Sequence, residues 1–116
     1  RSFIHAKDTA DATHKAITQG EDGEVYHLST EEQISIAEVV EKVCNLMGAK
    51  FEDSVVKVKE NFGQDSAYIL DSSKARKELV WTPRVSLDEG IEETVKWIED
   101  NWEEIKKQEL EYVHKE

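Results

Sequence analysis

Only one cysteine, Cys44, and one proline, Pro83, occur in the 116 residues. A lone thiol excludes an intramolecular disulfide and any gain from an oxidising compartment. Cys44 neighbours Val40, Val43 and Met47, so it reads as a small core residue on a helix face rather than a nucleophile. Basic clusters are also missing. Fifteen Lys and Arg face 26 Asp and Glu, giving a formal net charge of -11 and a pI near 4.8. That balance excludes non-specific nucleic-acid binding, which needs cations to neutralise phosphates, and disfavours an anionic membrane surface. No apolar run approaches the ~20 residues of a spanning helix, and no basic-then-apolar leader opens the sequence, so a soluble cytoplasmic protein is expected. The four histidines, His5, His14, His27 and His114, have no paired spacing on one face, and no metal site is expected. There is no internal repeat and no low-complexity segment.

What is present organises itself around residues 68–98. Tyr68, Ile69 and Leu70 form a short apolar run. Asp71 or Ser72 then offers a side-chain oxygen to the first amides of a helix carrying Ala75 and Leu79 on one side. Pro83 forbids further helix and pushes the residue before it into extended backbone, which places Trp81 at a corner. Ser86-Leu87-Asp88-Glu89 has the serine-then-glutamate spacing of a capping box. From Leu87 a last helix carries Ile91, Val95, Ile98, Trp102 and Ile105 at threes and fours, and residues 106–116 read as a fraying extension.

The preceding residues follow the same logic. Residues 1–5 alternate about Phe3 as a short strand. Asp8 or Thr9 is placed to cap a helix to Gln19 with Ala10, Ala12, Ala16 and Ile17 inward, and Gly20 is placed for a left-handed stop. Val25, Tyr26, His27 and Leu28 form a strand of the kind that sits inside a sheet. Ser35 and Glu38 make a second capping box before Ile36, Val39, Val40, Val43 and Met47, with Gly48 as the stop. Residues 51–59, with Val55, Val56 and Val58, read as another strand. Lys74, Arg76 and Arg84 alternate with apolar residues and read as solvated surface rather than a basic patch. The fold expectation is one domain over residues 1–116, of the α/β or α+β kind, with about four helices and a few short strands.

Three ordered segments resemble one family. Arg1-Ser2-Phe3-Ile4-His5-Ala6-Lys7-Asp8 is similar to an Arg-x-aromatic-Ile/Leu-His/Tyr-Val-x-Asp segment. Gly23-Glu24-Val25-Tyr26-His27-Leu28-Ser29 is similar to a Gly-x-x-Tyr-Asn-Ile/Leu-Gly/Ser strand. Asp71-Ser72-Ser73-Lys74-Ala75-Arg76-Lys77-Glu78-Leu79, then Trp81-x-Pro83, Ser86-Leu87-x-Glu89-Gly90-Ile91 and Thr94-Val95-x-Trp97 resemble the C-terminal segment of the same proteins. These are the extended short-chain dehydrogenase/reductases that act as NAD-dependent nucleotide-sugar epimerases and 4,6-dehydratases.

The resemblance implies a division of labour. In that family a Gly-x-x-Gly-x-x-Gly turn seats the pyrophosphate of NAD at a helix N-terminus, and a Tyr/Lys pair starts hydride transfer. Neither is present: Tyr26, Tyr68 and Tyr112 are followed four positions on by Thr30, Ser72 and Glu116. The chain is therefore expected to be the C-terminal, substrate-binding portion of such an enzyme, lacking the Rossmann core, carrying no catalytic residue, binding no cofactor alone, and having the missing Rossmann domain as its partner. Its implied ligand is a nucleotide-diphosphate sugar. By resemblance Arg1 would grip the diphosphate, a task suited to a planar, permanently charged fork. Asn61 stands where the family's Asp-Arg-Pro-Gly-x-Asp loop has a second arginine, here Glu60-Asn61-Phe62-Gly63-Gln64-Asp65. Val80 replaces a usual glycine, and a β-branched residue does not readily take positive φ, so a different helix stop is expected. A second reading stays open: a stand-alone, non-enzymatic module derived from such an enzyme, self-associating through the surface that once met the missing domain.

Overall fold

The structure, a computed structural model, describes residues 1–58 and 67–108. Six helices run in order: α1 (Ala6–Gln19), α2 (Ile36–Leu46), α3 (Phe51–Ser54), α4 (Ser73–Glu78), α5 (Leu87–Asp100) and α6 (Trp102–Ile105). There is no strand among the described residues, which overturns the expected α/β or α+β class with its few short strands. The physical reason lies in pairing: a strand exists only where a neighbour receives its N–H and C=O groups. Residues 25–28 keep the strand alternation in burial, with Tyr26 and Leu28 half-buried and Val25 and His27 exposed, yet they form no ladder among the described residues. At residues 1–5 the pairing stops after one residue, where Arg1 and Ile34 exchange backbone bonds of 2.9 and 3.0 Å. The stretch expected as a strand over residues 51–59 instead opens with α3. Beyond it Val56 and Val58 are 86% and 84% exposed.

The core is built where α1, α4 and the proline corner meet. Ala12, Ala75, Leu79 and Trp81 are buried, with Ile4, Ala16, Tyr26 and Leu28 packed around them. Small residues at Ala12 and Ala75 let the helices approach the indole closely. Trp81 is fully buried, and its Nε1–H donates to the Asp8 carbonyl at 3.0 Å, so its polar end is satisfied as well as its ring. Ile17, expected on the inward face of α1, is 80% exposed.

Both capping boxes form as expected, at Ser35/Glu38 and Ser86/Glu89. The Ser35 and Ser86 hydroxyls, and then their backbone N–H groups, hold the Glu38 and Glu89 carboxyls below the usual glutamate range. Gly48 ends α2 in the left-handed region at φ 65. Gly20 does not do the same for α1: its φ is -69, and glycine is needed there because a Cβ would lie 2.4 Å from the Ala16 carbonyl oxygen. The α1 N-cap is His5, whose Nδ1 accepts from the Lys7 amide at 3.3 Å, rather than Asp8 or Thr9. Asp71 caps α4 from one residue further out, its Oδ1 accepting from the Ser73 N–H at 2.8 Å, and that bond depresses its carboxyl's pKa. The last helix is broken rather than continuous. Asn101 donates its side-chain amide to the Trp97 carbonyl at 2.8 Å and leaves helical backbone at φ -111, which separates α5 from α6.

Val80 contradicts the expectation of a different stop. It takes the glycine conformation itself, at φ 47, with its side chain in solvent and its carbonyl accepting from Lys15 Nζ at 2.8 Å. Left-handed backbone costs a residue with a Cβ about 1–2 kcal/mol. Replacing Val80 by glycine, which removes that cost and loses no buried contact, is expected to stabilise the fold by roughly 1 kcal/mol. A urea titration showing an equal or lower midpoint for Val80→Gly would refute this.

Candidate functional site

Arg1 is placed by backbone before its side chain is considered. Its two bonds to Ile34 fix the segment against the loop before α2, and Ser2 Oγ donates to the Thr30 carbonyl at 3.3 Å. The guanidinium carbon then lies 5.7 Å from the centroid of the Tyr68 ring. Tyr68 is 55% exposed, so this pair faces solvent at the surface rather than the core. Asn61 and the rest of the loop at 60–65 lie outside the described residues, so of the two residues expected to meet substrate only Arg1 is located.

A cleft of about 280 Å³ is lined by Ser29, Thr30, Glu31, Gln33, Asp71 and Arg76 among others. Several of its lining residues are hydrogen-bonded to one another. Ser29 Oγ donates to the Leu70 carbonyl at 2.8 Å and Ser72 Oγ to the Ser29 carbonyl at 3.3 Å. Arg76 Nε donates to Ser72 Oγ at 3.2 Å, and Arg76 Nη1 lies 3.8 Å from Glu31. Arg76 is therefore a partly buried structural brace and not freely solvated surface. Lys74 is likewise engaged, paired with Glu24 and 4.9 Å from the Tyr26 ring centroid. The Glu24 hydrogen bond raises the ammonium's pKa. These cations are each committed to their own partners and do not converge on one ligand position.

A second cavity, about 290 Å³, is apolar and opens between α2, α5 and the first residues; Ile4, His5, Val43, Ile91 and Val95 line it. His5 closes one end beside Gly90, where an added Cβ would stand 3.2 Å from the imidazole, and its Nε2 is 3.6 Å from Glu93. Glu93 also binds Lys7 at 2.6 Å, and that hydrogen bond lowers its carboxyl's pKa. Cys44 is buried on α2, as a core residue would be. No group of three metal-ligating side chains occurs among the described residues. None of their helices is long and apolar enough to cross a membrane.

The Arg1–Tyr68 approach and the Arg76 brace were not legible in the sequence. Both join residues far apart along the chain, and neither pair has a periodicity to announce it. The signal that does exist is family resemblance, and comparison with known proteins bears it out. The model of the GDP-mannose 4,6 dehydratase family matches residues 1–94, and the chain belongs to that family. A dTDP-glucose 4,6-dehydratase of Streptomyces niveus is 36% identical over 109 residues, covering 91% of this chain and 32% of that protein. One from Neisseria gonorrhoeae is 30% identical over 111 residues, with 87% and 32% covered. Among solved structures, dTDP-glucose 4,6-dehydratase from Bacillus anthracis str. Ames in complex with NAD matches with a TM-score of 0.80 at 30% identity, over 89% of this chain and 32% of that one. The Bordetella bronchiseptica enzyme WbmF in complex with NADH gives 0.76 at 26% identity, over 92% and 31%. The chain thus spans about a third of the length of these relatives.

Proposed function

We propose that this chain is the C-terminal, substrate-binding part of an NAD-dependent nucleotide-sugar 4,6-dehydratase of the cytoplasm, a single domain that is inert without the part that holds NAD. The observation that carries the reading is coverage: nearly all of the chain matches about a third of 4,6-dehydratases, one of them solved in complex with NAD, while the glycine turn and Tyr/Lys pair are absent from it. Exposed apolar residues support it: Val25, Val56, Val58 and Ile69 stand in solvent on backbone that forms no ladder among the described residues, as expected of segments that meet a part of the enzyme outside this chain.

In this reading Arg1 meets the diphosphate of the sugar nucleotide, and Asn61 supplies a neutral amide where relatives of the resembled kind place a second arginine. The sugar nucleotide is a partner of the whole enzyme, and this chain alone binds it weakly or not at all. The Arg1→Gln variant of the full-length enzyme is expected to raise KM for its nucleotide-sugar roughly tenfold or more, since a charge-assisted bond contributes about 1.5–3 kcal/mol. A panel of dTDP-glucose, UDP-glucose and GDP-mannose identifies the nucleotide. An unchanged KM for whichever is turned over would remove Arg1 from the site.

A further inference from the structure

We propose that the apolar groove between α2 and α5 seats an apolar stretch of the enzyme from the part that precedes Arg1. The inference rests on the reading of this chain as the C-terminal part of a longer dehydratase.

The groove is half of a hydrophobic core. α5 presents Leu87, Ile91, Val95 and Ile98 at threes and fours, the spacing of a helix that covers something, yet none of its 14 residues is buried. α2 faces it with Val39 and Val43, both half-buried, and Cys44 alone is buried in that helix. The 290 Å³ between them is larger than the voids of a finished interior, which rarely exceed a water molecule. The core around Trp81 does not close it, since none of the four residues buried there lines the groove.

The walls argue against a small specific ligand. The three polar side chains that line the groove are each committed: Ser86 to the Glu89 amide, Thr94 to the Gly90 carbonyl at 2.7 Å, and His5 to the Lys7 amide and Glu93. A pocket that orients a ligand needs convergent polar groups, and these are spent within the chain. A second copy fits no better. Across a two-fold axis the same patch meets itself, and a groove facing a groove leaves both unfilled.

A stretch of the same polypeptide has neither difficulty. Phe3 and Ile4 line the groove, so residues joined ahead of Arg1 start two residues, or roughly 7 Å, from its wall. Elements consecutive in sequence are usually neighbours in space. The chain covers 32% of the Streptomyces niveus relative, which leaves ample length to supply the filler.

The test places the photo-cross-linking residue p-benzoylphenylalanine at Thr94 and, separately, at Ile98, both exposed lining positions, in the NAD-loaded full-length enzyme. Mass spectrometry after irradiation and digestion is expected to find each joined to an apolar peptide from ahead of Arg1 in the same polypeptide. Links to a second copy, to residues 1–116 only, or to no peptide overturn the proposal. Carbene footprinting of the unsubstituted enzyme gives the answer without a variant. Ile98, 38% exposed in this chain, is expected to be almost unlabelled, and labelling at the level that exposure sets overturns the proposal. Turnover of a nucleotide-sugar with the groove still open to label defeats this inference alone. Failure of the full-length protein to turn over any nucleotide-sugar defeats the underlying reading, and this inference with it.

Discussion

Trp81→Ala is expected to abolish the cooperative thermal transition of the chain. Trp81 and Leu79 are the largest fully buried side chains among the described residues. Truncating a buried tryptophan to alanine costs about 3–5 kcal/mol from lost transfer energy and the residual cavity. The indole's hydrogen bond to the Asp8 carbonyl, at 3.0 Å, would be lost as well, at a further cost of roughly 0.5–1.5 kcal/mol, since that carbonyl keeps its place in the α1 ladder. A small domain has only about 5–15 kcal/mol of stability to lose, and here the core is a handful of residues. Trp81→Phe separates the two contributions, since it keeps most of the ring and loses the N–H donor. Circular dichroism melts should show a lowered midpoint for phenylalanine and a broad, non-cooperative loss of helix for alanine. A cooperative melt for Trp81→Ala within a few degrees of the wild type would show that the fold is centred elsewhere.

Replacing Asp8 is expected to have the second-largest effect. Asp8 is 4% exposed, and both its oxygens are engaged: Oδ1 accepts from the Arg84 N–H at 2.9 Å and Oδ2 from the Val85 N–H at 3.1 Å. These two amides come just after Pro83 and lead directly into the Ser86 cap of α5. Asp8 therefore ties α1 to the entry of α5, and its own carbonyl holds Trp81. Hydrogen bonds to a charged acceptor contribute about 1.5–3 kcal/mol each. Asn is the informative substitute because its shape is the same but it offers one acceptor oxygen, and its NH2 would face the other amide. Asp8→Asn should lower stability by roughly 2–4 kcal/mol in a denaturant titration, and Asp8→Leu, which leaves both amides without a partner, by at least as much. A loss under about 0.5 kcal/mol for Asp8→Asn would mean that the two amides have other acceptors.

How much of this arrangement was readable in the sequence depends on the range of each interaction. The Ser35 and Ser86 capping boxes and the Gly48 stop are settled within four or five residues, and sequence reasoning found them. Trp81 at the corner followed from Pro83. Asp8 was read as a helix cap, a local role common for its residue type, whereas its partners lie across the chain at Arg84 and Val85. The strands failed for a related reason: Tyr26, Leu28 and Val56 carry the right residue types, but a strand is a property of a pair, and among the described residues the second member is missing. Val80 failed in the opposite direction. Its residue type argued against positive φ, and the surrounding packing of Leu79 and Trp81, both fully buried, holds the backbone there regardless. Asn101 breaks the last helix because its side chain competes for a backbone carbonyl, an effect that the apolar spacing of Ile98, Trp102 and Ile105 does not report. In the candidate site, the proposed role of Arg1 comes from resemblance alone, and the ring beside it is visible only in the structure.

As proposed above, the chain walls a sugar nucleotide without the means to oxidise it. The direct measurement is formation of the 4-keto-6-deoxy product from a nucleotide-sugar with NAD present, by the purified chain alone and by the same chain continuous with its upstream cofactor-binding part. The account predicts no product and no retained NAD for the chain alone, and turnover for the extended protein. Tight NAD binding and conversion by these 116 residues alone would contradict it.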